Sequence, residues 1–360
     1  MSTDTAVPVE VPARTSAWAR HRWTIEAVLA AIGGVVLVAY GSAASFREDY
    51  VVLICTYALL ALGMYLPFIL SGSLSLAYNA YLGMGAYACA LISVDLGWSS
   101  LWGIPAAMVV SATVAVLLAL VTRKLTGFYL AGVTLLFAVS FQVFLLDREE
   151  LTGGPVGMAV LRPTLFGQRL DRFQIMVAAV VVVWIVGLTL SRMRQSPYGV
   201  VLRLRREVPE VVEASGISAA TASVVSLAIG AAIGSLGGSL FGLMGGVAQP
   251  ESFGLPVVFL AIFMPLLGGQ RSPWGAVIGA IIVVVLTFEL HLFDDAGTLV
   301  FAVVILVVLR LAPQGLLGLA DPIGRWISSA RERSARHRSA RHRPAAPDPA
   351  TAGTAPEGPA

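Results

Sequence analysis

The chain alternates between long apolar runs and short polar breaks. Ten runs can be read, at about 25–45, 50–70, 75–94, 101–121, 128–146, 173–191, 224–245, 254–268, 276–293 and 296–312. Most are near 20 residues, which at about 1.5 Å per residue crosses a hydrocarbon core about 30 Å thick. Apolar positions are continuous rather than alternating, which excludes a β-barrel. The pattern predicts an all-α fold, a polytopic transmembrane helical bundle of about ten spans. The eighth run is the weak member. Its roughly 15 residues reach only about 22 Å, so it either re-enters the membrane or begins earlier, near Ser252.

Charge orders these runs. Only 12% of the 360 residues are charged, about half the share of a soluble domain, and their placement matters more than their sum of +3. Arginine-rich flanks stay in the cytoplasm. With the N-terminus inside, the even-numbered runs end at Ser71, Arg123-Lys124, Arg192 to Arg194, Arg271 and the arginine-rich tail. The odd-numbered runs end at Glu48-Asp49, Asp95, Asp147 to Glu150, Glu251 and Asp294-Asp295. Basic clusters thus share one side and most acidic residues the other, so both the N- and C-termini are expected in the cytoplasm.

Three regions follow: a polar N-terminus (1–22), a transmembrane domain (23–320) and a tail (321–360). The first apolar run either ends in a cleavage site near Ser42-Ala43-Ala44 or stays as a signal anchor, and its length favours the anchor. The tail repeats SARHR, then becomes Pro/Ala-rich, a composition that buries no core and predicts disorder. Its arginines serve either to fix topology or to hold anionic membrane lipids. No nucleic acid partner is expected.

One polar stretch interrupts the apolar pattern, Ser191 to Ser223, with its loop proper at 192–223. It carries five arginines, then PEVVEASGI. Pro209 suits the first turn of a helix, where its missing N–H costs nothing. Gly216 suits the position just past the last turn. About two turns between them present Val211, Val212 and Ala214 beside Glu210 and Glu213. Such an element is either a docking helix or a loop helix lying on the membrane.

Candidate chemistry is sparse. The single lysine, Lys124, sits in TRKLTG, which is not a Walker A loop, so the chain has no phosphate-binding loop of its own. Cys55 and Cys89 fall inside apolar runs and read as small buried hydrophobes. No paired carboxylates, nucleophile–base set or metal-ligand spacing is present, which disfavours an intramembrane enzyme and predicts no metal. Glu26 and Glu289 lie near run ends, where they reach the interface. Asn79 and Gln142 lie deeper and either bond between helices or line a solute path. Glycines at 230, 234, 238, 242 and 246 repeat every fourth residue. They admit a close neighbouring backbone within the bundle, at a homodimer interface or along a moving helix.

Several blocks resemble one family. REVPEVVEASGI (Arg206 to Ile217) is similar to the cytoplasmic coupling loop of ABC importer permeases. The stretches Leu70 to Ala90, Gly127 to Met158 (ending LTGGPVGM) and Pro250 to Ala280 resemble the branched-chain amino acid permeases of LivM type. Val208-Pro209 stands where that family usually carries a polar pair. The resemblance implies a multi-pass permease of the bacterial inner membrane. Its partners would be a second, LivH-like permease subunit, two ATPase subunits and an extracytoplasmic solute-binding protein. It also implies that Arg206, Glu207, Glu213, Ala214, Gly216 and Ile217 form the ATPase-coupling site. ATP and Mg would then belong to the partner subunits, this chain would bind no cofactor, and it would catalyse no reaction itself. Relatives carry branched-chain amino acids, urea or amides. A stand-alone secondary transporter or channel is the alternative, but such carriers place ionisable residues at mid-membrane and repeat between halves, features not evident here.

Overall fold

In lipid a backbone N–H or C=O finds no water, so uninterrupted apolar runs satisfy themselves by coiling into helices. The computed structural model describes residues 15–290 apart from 124–126 and 166, together with positions 306, 310 and 315; for 15–25 and 288–290 it describes the backbone alone. In chain order the helices are α1 (Thr15–Gly41), α2 (Ser45–Met64), α3 (Tyr78–Val94), α4 (Gly103–Val121), α5 (Phe128–Asp147), the single turn α6 (Glu149–Thr152), α7 (Arg172–Gln195), α8 (Pro197–Glu207), α9 (Pro209–Ala214), α10 (Ala219–Gly245), α11 (Leu255–Gly268) and α12 (Pro273–Leu290). Helix α2 continues through a π-helical turn, Tyr65–Leu70.

Helices stand at the first nine apolar runs; the tenth run and the tail lie outside the described residues, apart from the three isolated positions. Among the described residues five helices are long and apolar enough to cross a membrane. A sixth crossing is possible through α11 and α12, which are bent by 120° at their junction. Of the nine described runs, four (at α1, α3, α11 and α12) are not long and apolar enough on their own, and the tenth lies outside the described residues, so the count of ten is not confirmed. The difference has a local cause. Helix α3 has 17 residues and α11 has 14, because irregular backbone precedes each of them, at 71–77 and 247–254.

The stretch 71–77 is largely buried with Gly72 exposed, whereas in 247–254 exposed Val247, Gln249 and Glu251 alternate with buried residues; unwound chain at membrane depth is tolerated where protein covers it or it lines a water-filled cavity. Several of its polar groups find partners, although the buried Ser75 hydroxyl has none among the described residues. Thr134 Oγ1 accepts from Leu76 N at 2.8 Å, and the Ser73 and Ser223 hydroxyls share a 2.7 Å bond. In the second segment, Asn79 Nδ2 donates to the Phe253 carbonyl at 2.9 Å and Gln142 Nε2 donates weakly to that of Pro250 at 3.5 Å. Asn79, on α3, thereby ties that helix to the segment before α11.

The glycine stripe seats α10 at the centre, against α2, α3 and α4. A Cβ on Gly230 would lie 2.6 Å from the Gly63 carbonyl oxygen, and one on Gly238 would overlap the Leu82 carbonyl. Gly234 and Gly242 face Tyr78 and Ala86 of α3. The stripe is thus used inside the bundle. Gly246 is a correction: it does not pack but ends α10 with φ +72°, with nothing near its missing side chain. Cys55 and Cys89 are both buried and free.

Ends that the charge pattern assigns outside gather together. Met158–Ala159 (β1) pairs antiparallel with Val247–Ala248; between them in the chain lies the hairpin Thr164–Leu165 with Gln168–Arg169. Gly157 has φ +77°, and a Cβ there would overlap the Ala248 carbonyl, which accounts for the glycines of LTGGPVG. Ser99 Oγ donates to Thr164 O at 2.7 Å, and Arg172 pairs with Asp49 at 2.8 Å.

Candidate coupling site and inner cavity

The polar stretch folds as two helices rather than one. Ser196 caps α8 by accepting from Gly199 N at 3.4 Å, and Pro197 occupies the first turn. Gly199 and Leu202 face inward while Val200 and Leu204 remain exposed. Tyr198 OH donates to the Ala222 carbonyl at 3.2 Å, fastening α8 to the start of α10.

Arg205 is the anchor. Its Nε donates to Ala219 O at 2.8 Å, and its Nη1 reaches the Ser71 carbonyl, the Ser71 hydroxyl (2.7 Å) and the Ser73 hydroxyl (2.8 Å). Burial pulls the Arg205 pKa below the usual arginine value, partly opposed by the nearby Tyr198 hydroxyl. The planar fork satisfies several acceptors at once, a geometry a lysine ammonium does not reproduce. Arg206 Nη1 donates to Ile69 O. Gly72 has φ +70°, and a Cβ there would meet Arg206 Cγ at 3.0 Å. The guanidinium groups of α8 therefore grip the end of the α2 span and the segment that follows it directly.

Helix α9 begins at Pro209 and ends in a complete Schellman cap. Gly216 N donates to Glu213 O at 3.0 Å and Ile217 N to Val212 O at 3.3 Å, with Gly216 at φ +77°. Val212 turns inward at 2% exposure, so the apolar surface left outward is Val208, Val211 and Ile217, each more than 40% exposed. Glu207, Glu213, Ala214 and Gly216 are exposed as well. Behind this surface lies a cavity of about 550 Å³, lined by residues of both helices (Arg205, Arg206, Pro209, Glu213) and of the bundle. Ser71, Arg123 and Ala219, three ends that the charge pattern places on one side, share its wall.

The remaining sequence candidates lie elsewhere. Asn79 is 1% exposed, and its Oδ1 has no partner within the described residues. Gln142 is half-buried beside Gly254. Neither lines the inner cavity. Glu26 lines an apolar cavity formed with α2, α7 and α12, and the Glu289 side chain lies outside the described residues.

Comparison with known proteins agrees with this architecture. Residues 46–309, well over half of the chain, match the family model of the branched-chain amino acid transport system / permease component. The chain belongs to this family. Among its relatives are the high-affinity branched-chain amino acid transport system permease proteins LivM of Salmonella typhimurium and Escherichia coli. Each is 27% identical over 300 residues, covering 76% of this chain and 70% of the relative. No solved structure matches the chain. As a family member with several apolar helices, it is a multi-pass membrane protein.

Two features of the site went unread in the sequence. One is α8, whose Ser196-Pro197 pair is a helix start signal. The other is Arg205, which sequence alone does not distinguish from its four neighbouring arginines.

Proposed function

We propose that this chain is the membrane-spanning permease subunit of an ABC importer in the bacterial inner membrane, moving branched-chain or related amino acids. It performs no chemical step. ATP is hydrolysed with Mg on two partner ATPase subunits, and a second permease and an extracytoplasmic solute-binding protein complete the assembly. Family membership supports the transport role. The observation that carries the coupling role is the pair α8–α9, a capped helix with Val208, Val211 and Ile217 exposed, fastened through Arg205 to the segment after the α2 span at Ser71 and Ser73. A partner that moves α9 thereby pulls on the end of the α2 span. Asn79 and Gln142 stay candidates for the solute path.

Replacing Glu213 with arginine places a cation on the proposed docking surface. The complex should retain the membrane-inserted chain but lose ATP-driven amino acid uptake, measured in cells expressing the chain with its neighbouring transport genes. Wild-type uptake by Glu213→Arg would refute the docking role.

A further inference from the structure

The inner cavity combines three features that rarely meet by accident. It holds cationic groups, one carboxylate and an apolar wall. Arg205 is committed to Ser71, Ser73 and Ala219. Arg206 has only Nη1 engaged, and Arg123 has no partner among the described residues. Glu213 supplies the carboxylate, and Phe68, Leu130 and Leu227 the apolar surface. At about 550 Å³ the space falls within the usual range for small-molecule sites, about 300–1,000 Å³.

Opposite charges beside an aliphatic wall match a zwitterion with an aliphatic side chain. We propose that this cavity binds a free aliphatic amino acid from the cytoplasmic side, its carboxylate held by Arg206 and Arg123, its ammonium by Glu213 and its side chain against the apolar wall. The choice of amino acid rests on the transport function proposed above. Arg206 and Glu213 belong to α8–α9, whereas Phe68, Leu130 and Leu227 belong to the bundle. An occupant therefore bridges the coupling helices to the spans and resists their separation. Accumulated product slows its own import.

The test uses the full chain in phosphatidylcholine nanodiscs, without a binding protein, titrated with L-leucine, L-isoleucine and L-valine by saturation-transfer NMR. Saturable binding is expected, with leucinol and isovalerate failing to compete because each lacks one charge. Arg206→Gln and Glu213→Gln should each weaken binding about tenfold or more. Ala220 is exposed on the cavity wall. Ala220→Trp should fill the space and abolish binding while leaving thermal unfolding unchanged. Binding that survives Ala220→Trp overturns the site. So does the absence of saturable binding of all three amino acids. If cells expressing the chain with its neighbouring genes still import leucine, the site alone falls and the transport function stands. If they import none of the three, the transported solute falls with it.

Discussion

Arg205 concentrates more of the site than any other side chain. One guanidinium closes contacts to a carbonyl at the start of α10 and to both polar groups of Ser71, and it adds the Ser73 hydroxyl. Hydrogen bonds to a charged group contribute about 1.5–3 kcal/mol each, less here because the group is only half-buried. Arg205→Lys keeps the charge but loses the fork, so it should lower stability by roughly 2 kcal/mol. Thermal unfolding in detergent measures this, and an unchanged melting temperature would remove Arg205 from its anchoring role. The sequence offered no way to choose this arginine. Its partners Ser71 and Ser73 are more than 130 residues away, and nothing local sets it apart from Arg203 or Arg206. Asn79 was legible as a costly polar residue at depth, but its partner, a carbonyl 174 positions on, was not. Gly216, by contrast, was readable from its neighbours, because a helix end needing positive φ is a local demand.

At the level of elements the same contrast separates what could be read from what could not. Long apolar runs announce their helices, and α4, α5, α7 and α10 stand within a few residues of their runs. The break at 71–77 has no proline and only Gly72 to signal it; Thr134, Ser223 and Arg205 hold it open from elsewhere in the chain. Helix α8 hid because its inward face is only Gly199 and Leu202, too thin a stripe to stand out among arginines. The glycine stripe was legible as close packing, yet spacing alone could not separate the packed glycines from the helix end at Gly246. Substitution does separate them. Gly238→Leu drives a side chain into the Leu82 backbone and should cost about 3 kcal/mol, with loss of monodisperse protein after detergent extraction. Gly246→Ala meets open space and should cost only about 1–2 kcal/mol, from its left-handed backbone. Equal losses from the two would mean that the α10–α3 contact does not organise the bundle.

For the molecule as a whole, the decisive question is which way the sorted ends point. Contacts divide the loops into two sets without reference to any membrane. Ser71, Arg123, Gly127 and α8–α9 share one cavity, and Gln270 joins that end by accepting from Tyr65 OH at 3.3 Å. Asp49, Ser99, the hairpin 164–169 and the β1 pairing form the other end. The first set carries the arginine cluster of 192–206, and the second carries most of the acidic side chains among the described residues, beside dispersed arginines such as Arg47 and Arg172. Because positive flanks favour the cytoplasm, this sorting predicts that the cavity and α9 face inward. The bend between α11 and α12 is expected there too if that pair is a re-entrant hairpin; in one broken crossing it would lie within the membrane. Single cysteines introduced into a background lacking Cys55 and Cys89 would report this. Ser215→Cys on α9 and Ser272→Cys at the bend should react with a membrane-impermeant maleimide only in inverted vesicles. Gln168→Cys in the hairpin should react only in intact spheroplasts. Labelling of Ser215→Cys in spheroplasts would invert the topology and place the coupling helices where no ATP-driven partner could reach them. Labelling of Ser272→Cys on the side opposite Ser215→Cys would break the link between Tyr65 and Gln270 and with it the sorting of the ends.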